Sequence, residues 1–354
     1  MSEKRCRILQ TQLSSADKQP RPVLTSLNGD NSWLMSFPRP ETERAAAGKV
    51  FYHVVFEPWL EGPTSMLGSW FINISLSSSP AIPDAEAVKD VVREIEDAAA
   101  IHLPQSGDAS AEAPKEESGS GGIDAILLGF HYLDHVHEAT LRKFSKDIPV
   151  IATPEAADIV RPWGHFETIK LIQDLEPSIQ SWRTPELHPG EPLPSWLTPI
   201  RLPGFAVLNF CLAIVWTHPT DGEGEVHEVI LSSPHGTRFE GYLEAFRNAV
   251  PKTKMLAMLH GLKESHTLGS QTTLGAKGGL EIYRKVGGVK YWVLSHHSKL
   301  LYGGIFLYLA WTQDTQRTVS WMLEEEQKVD PDSAKKEKPN VVEVDNGGSF
   351  VLAD

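Results

Sequence analysis

Cysteine is nearly absent: the 354 residues contain two, Cys6 and Cys211. One lies in a polar N-terminal stretch and the other inside an apolar run, so a disulfide framework is ruled out and a reducing compartment is favoured. Long apolar runs are missing as well. The longest, residues 205–216, is about half of the ~20 residues that span a bilayer. Residues 1–20 are polar and lack the apolar core of a secretory signal. Positive charge is in deficit, with 33 Lys and Arg against 46 Asp and Glu, a net of −13. Such a chain repels phosphate backbones and anionic lipid, so neither nucleic acid nor membrane is expected as a partner. A small-molecule substrate is the expected partner, and the cytoplasm, with or without the nucleus, is the expected location.

What is present reads as a globular α/β protein. The apolar fraction is 41%, and 27 Gly with 25 Pro point to many loops. One large domain is expected over residues 21–323. Three segments fall outside its pattern: the polar residues 1–20, the Pro-, Ser-, Gly- and Glu-rich residues 104–122, and a charged tail over 324–354. None offers enough apolar side chains to offset the entropy of ordering, so all three are expected to be flexible.

Within the domain, short strands alternate with helices. Residues 50–56 (VFYHVVF) predict a strand, and residues 123–128 (IDAILL) a strand buried on both faces. Residues 84–100 place Val88, Val91, Val92 and Ile95 on one helical face behind Asp84 as cap. A helix from about 137 to 146, a strand at 148–152 and a helix opened by Thr153-Pro154 follow. Further on, a strand pair is expected at 205–216 with 228–232, then a helix at 241–250 and a strand at 254–259. A helix at 276–286 and a strand at 291–294 complete the set. Strands in both halves with helices between them imply two sheets with helices outside.

The segment 124–141 (DAILLGFHYLDHVHEATL) resembles the metal-binding loop of the metallo-β-lactamase superfamily, where a buried strand runs into His-x-His-x-Asp-His and then a helix. Other pieces fall in matching order. Residues 51–62 resemble the strand and Asp-Pro loop before the metal loop, with Glu57 in place of Asp. Ser232-Ser233-Pro234-His235-Gly236 stands where the family has Gly-Asp-Thr-Gly, and residues 291–297 (YWVLSHH) resemble the last strand and its terminal His. The likeness covers about residues 25–312 and is nearest to the branch of ascorbate-phosphate lactonase-like and phospholipase-D-like enzymes. It implies a four-layer α/β/β/α sandwich.

The departures fall on one metal site. Phe130 and Tyr132 stand where the first two histidines belong, with His131 between them, and the mid-chain histidine has no counterpart near residues 202–204. Pro234 takes the place of the bridging Asp. The second site keeps Asp134, His135 and His296, with His131 as a further candidate ligand. Two imidazoles and a carboxylate with an open fourth position suit one zinc ion, and Fe or Mn equally by ligand type. His235 is a candidate fourth ligand or general acid–base group, and Asp134 is the other candidate catalytic group. The resemblance thus implies a hydrolase of a small ester, lactone, thioester or phosphodiester with a single-metal remnant site. The alternative is a metal-free pseudo-enzyme that binds a small molecule or protein through the old cleft. In that case Asp134 serves as a helix cap, and His137, His260, His266 and His297 are loop or helix-start residues.

Overall fold

A computed structural model describes residues 2–14, 18–103, 119–220, 222 and 224–353. The expected flexible insertion at 104–122 lies outside these except for its last four residues. Among the described residues no helix is long and apolar enough to cross a membrane. The chain divides into two compact units, the first made of residues 1–61, 78–171 and 344–354, the second of residues 62–77 and 172–343.

The first unit is built on a seven-stranded sheet. Its strands in spatial order are Ser349–Val351, Val23–Ser26, Trp33–Pro38, Phe51–Phe56, Ala125–Leu128, Val150–Ala152 and Ile169–Leu171. The first four pair antiparallel and the last four parallel. The short apolar runs read from the sequence are the central strands, and every residue of Phe51–Phe56 and Ala125–Leu128 is buried. Against them packs the helix Ala85–Ala99. Its Asp84 cap accepts the Ala87 N–H at 2.9 Å. Val88, Val91, Val92 and Ile95 are buried at the i, i+3, i+4, i+7 spacing of one face, each contributing about 1.5–3 kcal/mol of hydrophobic stabilisation.

The second unit repeats this plan. Its six-stranded sheet runs Val341–Val342, Tyr291–Val293, Lys254–Leu259, Glu225–Ser232, Asn209–Pro219 and Leu197–Ala206. In chain order it too begins as an antiparallel meander of three strands and continues with three parallel ones. The helices Tyr242–Asn248 and Gly275–Lys285 bury Leu243, Phe246, Leu280 and Ile282 in the core of this unit.

Three expectations need correction. Residues 1–20 are not a loose tail, because Ser2–Leu13 is a helix with Leu9 and Leu13 in the core of the first unit. Its Arg5, buried, donates to Glu94 at 2.6 Å and to the Gly347 carbonyl at 2.8 Å. The charged segment 324–354 is also ordered. Its first part continues the helix Val319–Val329, whose Glu325 and Glu326 pair with Lys277 and Arg284 of the helix Gly275–Lys285. Its last part is the strand Ser349–Val351, with Val351 and Leu352 buried. Glu325 and Glu326 are thus paired across helices, while Asp332 and Lys335 pair with each other in full exposure. Finally, the helix expected over 137–146 is confined to Glu138–Leu141, and its cap is His137 rather than Asp134.

If the N-terminal helix is part of the core, Leu9→Ala should cost about 2–4 kcal/mol, as for a buried aliphatic side chain. Chemical denaturation of the variant measures this directly. A change within a few tenths of a kcal/mol would show that the segment does not pack.

Candidate functional site

The candidate residues of the first unit gather at the C-terminal ends of its parallel strands, where open α/β sheets place ligands. Glu57 follows the strand Phe51–Phe56 with φ of +47°, a left-handed turn that few non-glycine residues adopt. Its main chain is pinned on both sides. The Glu57 N–H donates to the Leu127 carbonyl at 3.1 Å, and its carbonyl accepts the Ser32 hydroxyl at 2.7 Å. The side chain is 1% exposed. One carboxylate oxygen accepts the N–H groups of Gly129 at 3.1 Å and Phe130 at 2.9 Å. The other lies 2.5 Å from Nδ1 of His135, which donates to it.

This bond fixes the ring. With Nδ1–H directed at Glu57, Nε2 of His135 is the atom left to serve as a ligand. That atom is shut off from solvent, and the nearer oxygen of Asp134 is 3.7 Å away. The loop carrying both residues is held by Asn31, whose amide donates to the Asp134 carbonyl at 2.6 Å. Burial disfavours a charged His135, yet the carboxylates of Glu57 and Asp134, with a smaller contribution from Asp30, outweigh it and push its pKa up to about 9. The same negative surroundings favour any cation at Nε2.

The second unit presents two more imidazoles at its own strand ends. His235 follows Glu225–Ser232 in a turn closed by Gly236 at φ +79°. Its carbonyl accepts the Leu274 N–H at 2.9 Å, and its Nδ1 lies 3.0 Å from the Thr273 hydroxyl. When Nδ1 donates to that hydroxyl, Nε2, which is shielded from solvent, keeps its lone pair. His296 follows Tyr291–Val293, is 4% exposed, and takes a left-handed φ of +53°. The two rings meet edge to face, with centroids 4.8 Å apart. Gly261 makes room for this turn: a Cβ there would lie 2.9 Å from the carbonyl oxygens of both Ser295 and His296.

His260, His297 and His137 have structural work. Both ring nitrogens of His260 face main-chain carbonyls, of Ser233 at 2.5 Å and Gly275 at 2.9 Å, and burial pushes its pKa down. His297 accepts the Leu262 N–H at 3.2 Å, and His137 caps its helix. His131 is half-buried and lies with its ring 4.5 Å from that of Tyr132. Phe130, standing where the resemblance expects a histidine, is fully buried with its ring 5.1 Å from that of His135. The role of Glu57 was missed from the sequence. Its signal was an acidic residue directly after a run of buried strand positions. Nothing in the sequence marks Thr273.

No family model matches the chain, and no curated protein matches it in sequence. Among solved structures, it is similar to an isothiocyanate hydrolase from Delia radicum gut bacteria. That match has a TM-score of 0.48 and 13% identity, covering 93% of this chain and 98% of that one. It is similar also to a possible metal-dependent hydrolase from Veillonella parvula DSM 2008, with a TM-score of 0.50 and 9% identity, covering 94% of this chain and 100% of that one. The second likeness is one of fold. Both neighbours are named as hydrolases.

The left-handed turn at His296 makes a direct prediction. In metal-free protein, His296→Gly should be more stable than His296→Ala by about 1 kcal/mol, because only glycine adopts that turn without strain. Equal midpoints in urea would mean that the backbone at 296 is not held there.

Proposed function

We propose that this chain is a metal-dependent hydrolase of the metallo-β-lactamase type and fold. In this reading His135 of the first unit, and His235 and His296 of the second, are metal ligands. The observation that carries it is the Glu57–His135 pair. A buried carboxylate gripping Nδ1 is how proteins aim Nε2 of an imidazole at a metal and raise its basicity. The Thr273 hydroxyl beside Nδ1 of His235 supports the same reading for the second ligand. The resemblance of the loop at 124–141 and the fold shared with a possible metal-dependent hydrolase point the same way.

Neutral imidazoles are accepted catalytic ligands for zinc, and Fe(II) or Mn(II) would fit the same donors. When bound, the ion supplies Lewis acidity, lowering the pKa of a water and polarising a carbonyl or phosphoryl oxygen. Asp134 is then not a ligand but the general base, its carboxylate lying beside the ligating nitrogen of His135. His235, a candidate for either role in the sequence, is a ligand in this reading, and His131 is not. Phe130 and Tyr132 offer no imidazole to a metal. The substrate is a small ester, lactone, thioester or phosphodiester, and the net charge of −13 disfavours polyanions.

Metal analysis of protein purified without chelator should find about one equivalent of a divalent transition metal. His135→Ala and His235→Ala should each abolish it while the far-UV circular dichroism is unchanged. Glu57→Gln should weaken metal affinity about 10- to 100-fold. Asp134→Asn should keep the metal and lower kcat by roughly 10²–10⁴. A stoichiometric ion retained in His235→Ala sinks the ligand set. No ion in the native chain, even after incubation with zinc, turns the reading to a metal-free binding protein.

A further inference from the structure

One face of the second unit is built mostly from uncharged segments. Residues 62–77 (GPTSMLGSWFINISLS), 265–276 (SHTLGSQTTLGA) and 300–313 (LLYGGIFLYLAWTQ) contain no Asp, Glu, Lys or Arg, in a chain that is 22% charged. The fold brings the three together. Strands Thr64–Met66, Ile72–Leu76 and Leu300–Gly303 form one small sheet, and Glu264–Thr267, Ser270–Thr273 and Gln313–Thr315 form another. The short helix Ile305–Leu309 joins them. The Ile305 N–H donates to the Trp70 carbonyl at 2.8 Å, the Phe306 N–H to the Phe71 carbonyl at 3.0 Å, and the Leu268 N–H to the Ala310 carbonyl at 2.7 Å.

Large apolar side chains point outward from this face. Leu67 is 74% exposed, Trp70 69%, Ile305 51%, Tyr308 84%, Leu309 70% and Trp311 76%. These six present roughly 800 Å² of surface, taking side chains of about 150–250 Å² each. The largest apolar patch on a monomer is typically about 300–600 Å², and a stable interface takes about 800 Å² from each partner.

The backbone is strained to hold them there. Among the described residues five non-glycines have positive φ. Two, Glu57 and His296, belong to the candidate site. The other three are Leu67 at +54°, Leu268 at +53° and Trp311 at +49°, all on this face. Strain of this kind persists where the position of the side chain has a use.

We infer that this face is where a second copy of the chain docks, through a two-fold contact in which the patch meets itself. Each copy carries −13, so two copies approach most easily where no carboxylate faces outward; the two in these sheets, Glu264 and Asp314, are turned inward, 8% and 9% exposed beside Arg317 and Lys263. A charged partner would leave its own charges buried without counterparts, and anionic lipid is repelled. An isologous contact needs only a self-complementary surface, which an uncharged apolar patch rich in Trp and Tyr supplies.

Sedimentation equilibrium of the full chain tests this. The native protein should show twice the monomer mass, with a dissociation constant below about 10 µM. The double variant Tyr308→Glu/Trp311→Glu should be monomeric, its dissociation constant raised about 100-fold or more. Both positions are largely exposed, so its circular dichroism and melting temperature should match the native chain. Val329→Glu, 88% exposed and outside the patch, should still dimerise. A native chain that stays monomeric at about 100 µM overturns the proposal, as does a double variant that still dimerises. Co-sedimentation of a monomeric native chain with phosphatidylcholine vesicles would instead give the face to a neutral lipid surface.

Discussion

A buried carboxylate needs hydrogen-bond partners, and Glu57, 1% exposed, has three on its two oxygens: two backbone N–H groups and one imidazole. Each bond fixes something different. The N–H groups of Gly129 and Phe130 set the direction in which the chain leaves the strand Ala125–Leu128. The bond to Nδ1 sets the tautomer and the rotation of His135. Removing the carboxylate would leave three buried donors unsatisfied at once, at a cost of about 1–3 kcal/mol each. The loop that carries Asp134 and His135 is therefore held by two side chains, Glu57 and Asn31, and the main chain of Glu57 is itself held by the Leu127 carbonyl and the Ser32 hydroxyl.

The same logic recurs in the second unit because the topology recurs. In both units a three-stranded antiparallel meander is followed by three parallel strands, and the residues with chemistry lie just beyond strand ends. Glu57 follows the third strand of its unit in chain order, and Ser233 and His235 follow the third strand of theirs. The loop of Asp134 and His135 follows the fourth strand, as the His260–Gly261 loop follows its counterpart. Parallel strands leave their carboxyl ends on one rim, so short loops from successive strands converge without long excursions. That economy explains how a chain with few histidines in regular elements can still place several at strand ends.

The sequence showed the strands and hid what depends on distant contact. Runs such as 51–56 and 123–128 announce themselves, since strands buried on both faces must be apolar throughout. The helix Ala85–Ala99 was legible from its spacing and from Asp84 at its start. The N-terminal helix was not, because only Leu9 and Leu13 lie in the core, and it is held by Arg5 reaching Glu94 and Gly347, 89 and 342 residues away. Charge runs in 324–354 read as solvated because a pattern of charges does not reveal a partner such as Lys277 or Arg284. For the site, Asp134, His135 and His296 were legible from the resemblance. The grip of Glu57 on His135 depends on the side chain turning inward, which position alone does not fix.

That inward turn also bears on where residues 57 and 130 differ from the loop they resemble. A glutamate reaches one methylene further than the aspartate expected at position 57, and it spans from the strand end to both the Phe130 amide and the His135 ring. Phe130 fills its buried position with a ring packed on His135 rather than a polar group. An imidazole at 130 would need its own hydrogen-bond partners in that enclosed space, or else a metal to receive it. With phenylalanine there, the ring of His135 is held from two sides, by the hydrogen bond of Nδ1 to Glu57 and by packing against Phe130.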